Sequence, residues 1–144
     1  MVYVGVDPGK HGALAVIAGE LVKVVPFDED AYRQVLASVR GRMAMCCLEK
    51  VGAMPGQGVT SMFSFGENYG YIRGLLEANE IPYQAVRPQD WKKEFGVTGD
   101  KSTSVMVCKR LFPQVSLLPT ERSRKENDGM AEALLLACYA QRRF

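Results

Sequence analysis

Short solid runs of apolar residues dominate the first third of the chain, and helical spacing dominates the rest. Val2, Tyr3, Val4 and Val6 are β-branched or aromatic, which suits a buried strand. That run ends on one carboxylate, Asp7, and Pro8-Gly9 then turns the chain. Gly12–Ala18 reads as a second strand, Gly19-Glu20 as a hairpin turn and Leu21–Val25 as a third strand, an antiparallel meander closed by Pro26. Tyr32, Val35, Leu36 and Val39 recur at helical spacing. They predict a helix through about Arg40, capped by Asp28 or Asp30 and stopped at Gly41. Ala44–Leu48 is another short apolar run, and it too ends on a carboxylate, Glu49. Reached through a helix, this fourth strand should lie parallel to the first.

Gly52-Ala-Met-Pro-Gly-Gln-Gly58 reads as a flexible loop, followed by a helix from about Thr60 to Asn79. That helix carries Gly66, Gly70 and Gly74, spaced to share a face. Glycine inside a helix costs roughly 1 kcal/mol relative to alanine, so the stripe implies close approach of another backbone. The sheet is the first expectation and a partner subunit the second. Ile81-Pro82 ends the helix, Tyr83–Val86 is a fifth strand, and Gln89–Phe95 is a short helix carrying Trp91, Lys92 and Lys93. After a Gly96–Asp100 loop, Asp100 can cap a helix from Lys101 to Phe112, with Val105, Val107, Cys108 and Leu111 as buried positions. Pro113–Lys125 is polar and irregular. The last helix is expected from about Glu126 to Arg142, packing Met130, Leu134, Leu135, Cys138 and Tyr139 on the sheet. No repeat or linker interrupts residues 1–144, which read as a single domain.

Composition narrows the partners. No apolar run reaches membrane-spanning length, and the apolar start lacks the basic flank of a signal peptide. No membrane role is expected. The four cysteines, Cys46, Cys47, Cys108 and Cys138, form no C-x-x-C pair, which points to reduced, buried thiols and a cytosolic setting. His11 is the only histidine, so a zinc–histidine cluster is excluded. The net charge of +2 names no partner, but residues 87–125 hold nine Lys/Arg against four acids. That bias suits a polyanion, although a solvated basic face is its commoner meaning.

The acids carry the chemistry. An Asp before Pro-Gly is ordinarily a turn former; the reading changes when other core elements end on acids. Glu49 is one. Asp128 and Glu132 are two more, four residues apart and so on one helical face. The helix dipole is sufficient reason for Asp128. Glu132 sits amid Ala131, Ala133, Leu134, Leu135 and Leu136, where a charge needs a cation. Four converging carboxylates would repel one another, and magnesium, hard and oxygen-loving, resolves the conflict. Two such ions can clamp the attacking and leaving oxygens of an in-line phosphoryl displacement.

With acids on the first strand, fourth strand and last helix, the element order resembles the ribonuclease H-like nuclease fold. More closely, it is similar to the RuvC-type Holliday-junction resolvases, especially their compact phage-borne branch. The carriers are Val4-Gly-Val-Asp7-Pro-Gly-Lys10, Leu48-Glu49-Lys50, Phe65-Gly-Glu-Asn-Tyr-Gly70, Arg87-Pro-Gln-Asp-Trp-Lys92, Gly99-Asp-Lys101, Lys109-Arg-Leu-Phe-Pro113 and Asn127-Asp-Gly-Met-Ala-Glu132-Ala. The resemblance implies an α/β fold: a five-stranded mixed sheet, antiparallel β1-β2-β3 and parallel β1-β4-β5, flanked by helices. It implies that Asp7, Glu49, Asp128 and Glu132 bind two Mg2+ ions, with Mn2+ as a substitute. Lys101 matches the family lysine near the scissile phosphate. The implied protein is a homodimer that nicks a four-way DNA junction symmetrically, in the cytoplasm of a bacterium or a phage-infected host. Lys10, Lys50, Lys92, Lys93, Arg122, Arg124 and Lys125 are the candidates for DNA phosphate contacts. Three departures stand out. Glu132 replaces a frequent Asp, the last two acids are four rather than three apart, and Gly52, Ala53 and Met54 stand where the family places a wedge aromatic.

Rival readings separate by experiment. A related nuclease could cut flap DNA or RNA–DNA hybrid, and a non-cleaving protein could grip branched DNA through the same fold. Gly96-Val-Thr-Gly-Asp-Lys101 fails as a P-loop, because Asp100 separates the glycine from the lysine and would repel phosphate.

Overall fold

A computed structural model describes residues 1–53 and 55–144. Met54, part of the stretch that lacks the wedge aromatic, lies outside the described residues. Five strands form one mixed sheet in the order β3-β2-β1-β4-β5. The strands are β1 (Val2–Asp7), β2 (Ala13–Ala18), β3 (Leu21–Pro26), β4 (Ala44–Glu49) and β5 (Tyr83–Val86). The tight turns make β1-β2-β3 antiparallel. The helical crossovers make β4 parallel to β1, and β5 parallel to β4. This is the ribonuclease H-like arrangement expected from the element order.

Side chains alternate across each strand, so the sheet sorts its apolar residues into two cores. Val2, Val4, Val6, Leu14, Cys46 and Leu48 pack with α1 (Glu29–Val39) and α2 (Val59–Ala78). Ala13, Ala15, Ile17, Cys47 and Val86 pack with α3 (Pro88–Phe95), α4 (Ser102–Leu111) and α5 (Asp128–Arg143). Adjacent Cys46 and Cys47 thus enter opposite cores, and all four thiols are free and buried. Helix α5 is the centrepiece of the second core, buried without a break from Gly129 to Ala140. It crosses β1 at Gly5, where an added Cβ would meet the Ala133 oxygen and the Ala137 nitrogen at 2.2 Å. Only glycine lets this helix lie that close.

Local signals acted mostly as expected. The Asp28 carboxylate caps α1 by accepting from the Ala31 N–H at 2.9 Å, while Asp30 sits in the first turn. Gly41, with φ of +82°, turns the chain just beyond the helix end. Two expectations fail on α4. Its first helical residue is Ser102, and Asp100 serves an Asx turn ahead of it, accepting from the Ser102 N–H at 3.0 Å. Leu111 is 37% exposed, while Ser104 takes the inward position at 0%. Both lie on the stripe of Val107 and Cys108 that packs into the core, and Leu111 is exposed because it is the last residue of the helix.

The largest correction concerns α2. A Cβ added at Gly66, Gly70 or Gly74 would meet nothing within 4 Å, so the sheet does not pack on this stripe. The same side of the helix leaves Val59 85% and Phe63 73% exposed. Helix α2 rests on the sheet through Ile72 and Leu76, roughly opposite the stripe.

Candidate active site

Asp7 is the final residue of the central strand, and the turn after it is tightly held. Gly9, at φ +109°, donates its N–H to the buried Asn68 Oδ1 at 2.7 Å and lies against the Phe65 ring. Because Val6 pairs with Leu48 in the parallel β1-β4 ladder, the next residues, Asp7 and Glu49, leave the sheet side by side. The last helix is brought to the same edge by its own start. Asn127 caps α5 by accepting from the Met130 N–H at 2.9 Å. Gly129 lies so near the β1-β2 turn that a Cβ would come within 2.6 Å of the His11 carbonyl. This contact delivers Asp128 and, one turn on, Glu132.

All four acids line one open cleft of about 700 Å³, together with Lys10, His11, Lys92 and Lys101. Burial raises the Asp7 carboxyl well above its ordinary 3.8, and repulsion from Glu132, Glu49 and Asp128 adds to the rise while Lys101 opposes it. Glu132 is also raised, first by burial and then by Glu49. Burial raises Glu49, against the pull of a hydrogen bond from Trp91 and the charges of Lys92 and Lys101. Lys101 Nζ lies 3.3 Å from Asp128 Oδ2, and that partner raises the lysine. The pair is largely solvent-exposed, so its net stabilisation is small, of order 0–1 kcal/mol.

The donor chemistry is all carboxylate oxygen, which suits a hard divalent cation and not zinc. Among the described residues no three Asp, Glu, His or Cys side chains are gathered into a set that could hold an ion as they stand.

The candidate phosphate contacts divide. Lys10, Lys92 and Lys101 face the cleft, and Lys125 lines an adjoining hollow with Lys101 and Asp128. Lys50 is exposed just past Glu49, and Arg122 and Arg124 are exposed on the irregular 112–127 segment. Lys93 lines a different hollow with Glu94 and Arg143.

Three supporting residues escaped the sequence reading. Trp91 is fully buried, and its Nε1–H donates to Glu49 Oε2 at 2.7 Å. Ser104 Oγ donates to Glu132 Oε1 at 3.4 Å, which gives the one polar residue on the buried stripe of α4 a partner. Asn68 was visible only as a letter in a motif; a buried amide one turn after an aromatic was the signal available.

No protein-family model matches the chain, and no curated protein matches it. Solved structures do. The chain superposes on Thermus thermophilus RuvC in complex with a Holliday junction substrate with a TM-score of 0.65 at 16% identity, over 99% of this chain and 96% of that one. A second structure of Thermus thermophilus RuvC gives 0.60 at 17% identity, over 95% and 91%. At this identity the likeness establishes the ribonuclease H-like fold.

Proposed function

We propose that this chain is a metal-dependent endodeoxyribonuclease of the RuvC type that resolves four-way DNA junctions by paired symmetric nicks. The observation that supports it most is the single cleft shared by Asp7, Glu49, Asp128 and Glu132, which come from two parallel strands and a buried helix. Acids that share a cleft, three of them with raised proton affinity, are costly to a fold that has no use for them. The structural likeness to a protein captured with a Holliday junction points the same way.

In this reading the four carboxylates hold Mg2+, two ions per site, with Mn2+ able to replace it. Bound magnesium supplies Lewis-acid stabilisation of the charge that develops on the attacking and leaving oxygens. The chain's own residues do the rest. Lys101 offers a cation beside Asp128, where it can offset charge on the phosphorane-like transition state. Lys10 and Lys92 flank the acids and hold the backbone phosphates in register without reading bases. Asn68 fixes the turn after Asp7, so that this carboxylate does not swing as DNA enters.

Symmetric cutting calls for two copies of the site, and we infer a homodimer. The solvent-open glycine face of α2, with Phe63 and Val59 exposed beside it, supports this reading, since the sheet does not use it. The whole of residues 1–144 acts as one nuclease domain, of the compact phage-like kind, in the reducing cytoplasm of a bacterium or an infected host.

The test is to offer a synthetic four-way junction, a flap, an RNA–DNA hybrid and linear duplex with magnesium. Paired symmetric nicks confined to the junction are expected. Cleavage of the flap or hybrid instead would assign a different substrate to the same fold, and junction binding without nicking would leave a binder. Asp7→Asn is expected to reduce cleavage to background while junction affinity, measured by gel shift in chelator, stays within a few-fold.

A further inference from the structure

Trp91 is the only tryptophan in the chain, and it is 0% exposed. A buried indole N–H needs an acceptor. The one it finds is a carboxylate oxygen of the proposed metal site, Glu49 Oε2, at 2.7 Å and 42 residues away in sequence. This is a charge-assisted bond, of the short, strong kind. Among the described residues, Glu49 Oε1 takes no hydrogen bond, so one oxygen is committed and the other is left to the cleft. The next residue, Lys92, lines that cleft, with its Nζ 5.7 Å from the centre of the Trp91 ring. Helix α3 therefore holds Glu49 from behind with one residue and faces the cleft with the next.

We propose that Trp91 is the positioning residue for Glu49: its indole N–H fixes one carboxylate oxygen and leaves the other to engage a divalent cation alone. This rests on the reading of Glu49 as a metal ligand. Removing an outer partner of a ligand typically weakens metal affinity about 10- to 100-fold, and Trp91 is placed to have that effect without touching the ion or the DNA. A purely structural role predicts something else, namely that any side chain filling the same space will serve.

The experiment is Mn2+ titration of the metal-stripped protein, followed by calorimetry and by Trp91 emission. In the wild type, emission should change with the same midpoint as the calorimetric titration. Trp91→Phe should weaken Mn2+ binding by about 10-fold or more, with thermal unfolding in chelator shifted far less than a core cavity would demand. Where that variant fails to fold, replacing Trp91 with benzothienylalanine swaps the N–H for sulfur at nearly constant shape, and the same loss of affinity is expected. Wild-type Mn2+ affinity in either variant, with Glu49→Gln still weakening it, would overturn the positioning role and leave the nuclease reading intact. If the wild type binds no Mn2+, or Glu49→Gln changes nothing, the metal-site reading itself fails and the role of Trp91 falls with it.

Discussion

Helices α5 and α2 lie on opposite faces of one sheet, one over a glycine of β1 and the other with glycines on its own free face, and the glycines mean opposite things. Beneath α5, Gly5 admits a helix backbone to within 2.2 Å of where its Cβ would be. On α2, Gly66, Gly70 and Gly74 face open space, and only Asn68, Ile72 and Leu76 of twenty residues are buried. A glycine's role is set by what stands opposite it, which local sequence does not contain. The division of labour follows. The helix that cannot move carries two of the four acids, and the helix with a free face contributes only the amide and ring that hold the turn beyond Asp7.

The contrast can be broken most violently at Gly5. Gly5→Ala drives a methyl into the α5 backbone and should destabilise the protein by about 3 kcal/mol or more, read as a loss of urea midpoint or of soluble protein. A wild-type midpoint would mean the helix can retreat at little cost. Next in size is the charge that α5 and β1 bring together. Asp7, Glu49 and Glu132 all have raised carboxyl pKa values in the fold. The native state therefore holds extra protons above the ordinary 3.8 and 4.5. The stability they contribute is complete below those values and is lost as pH rises through the raised ones. In chelator, the urea midpoint of Asp7→Asn should accordingly gain on that of the wild type as pH climbs from about 4 to neutrality. A constant gap across that range would deny the acids their mutual strain. Added Mn2+ should stabilise the wild type and largely spare the variant.

The smallest effect sharpens the other side of the comparison. Gly70→Ala meets no neighbour and removes backbone entropy, so the dilute protein should be stabilised by about 1 kcal/mol. If α2 pairs with a second copy through this face, the same change should weaken self-association in sedimentation, even as the monomer gains. Destabilisation of the dilute monomer would show that something does lie against Gly70.

The strands and their terminal acids were legible in the sequence because both signals are local: an apolar run, then a carboxylate. Parallel pairing of β1 and β4 followed from one helical crossover, and Glu132 stood out as an acid in an alanine-leucine stretch. What escaped is what depends on a distant partner. Ser104 looks like any small polar residue until α4 is docked on α5. Trp91 reads as a core residue, and nothing within its helix tells that its N–H will find Glu49. Leu111 was assigned inward by spacing, and it lies on the buried stripe, but at the end of the helix it runs past the core.

The sorting of β4 into two cores has a last consequence. Cys46 goes to one side, Cys47 to the other, and Glu49 follows at the strand's end. A slip of one residue would invert every apolar side chain of the strand at once. The spacing of the two strand-end carboxylates is thus guarded by the insolubility of their neighbours, and not by any interaction of their own. The rest of the cleft wall, by contrast, includes the 8–12 turn and Val51, which are under no such veto. Such a molecule can vary its cleft wall while its carboxylates stay where the hydrocarbon put them.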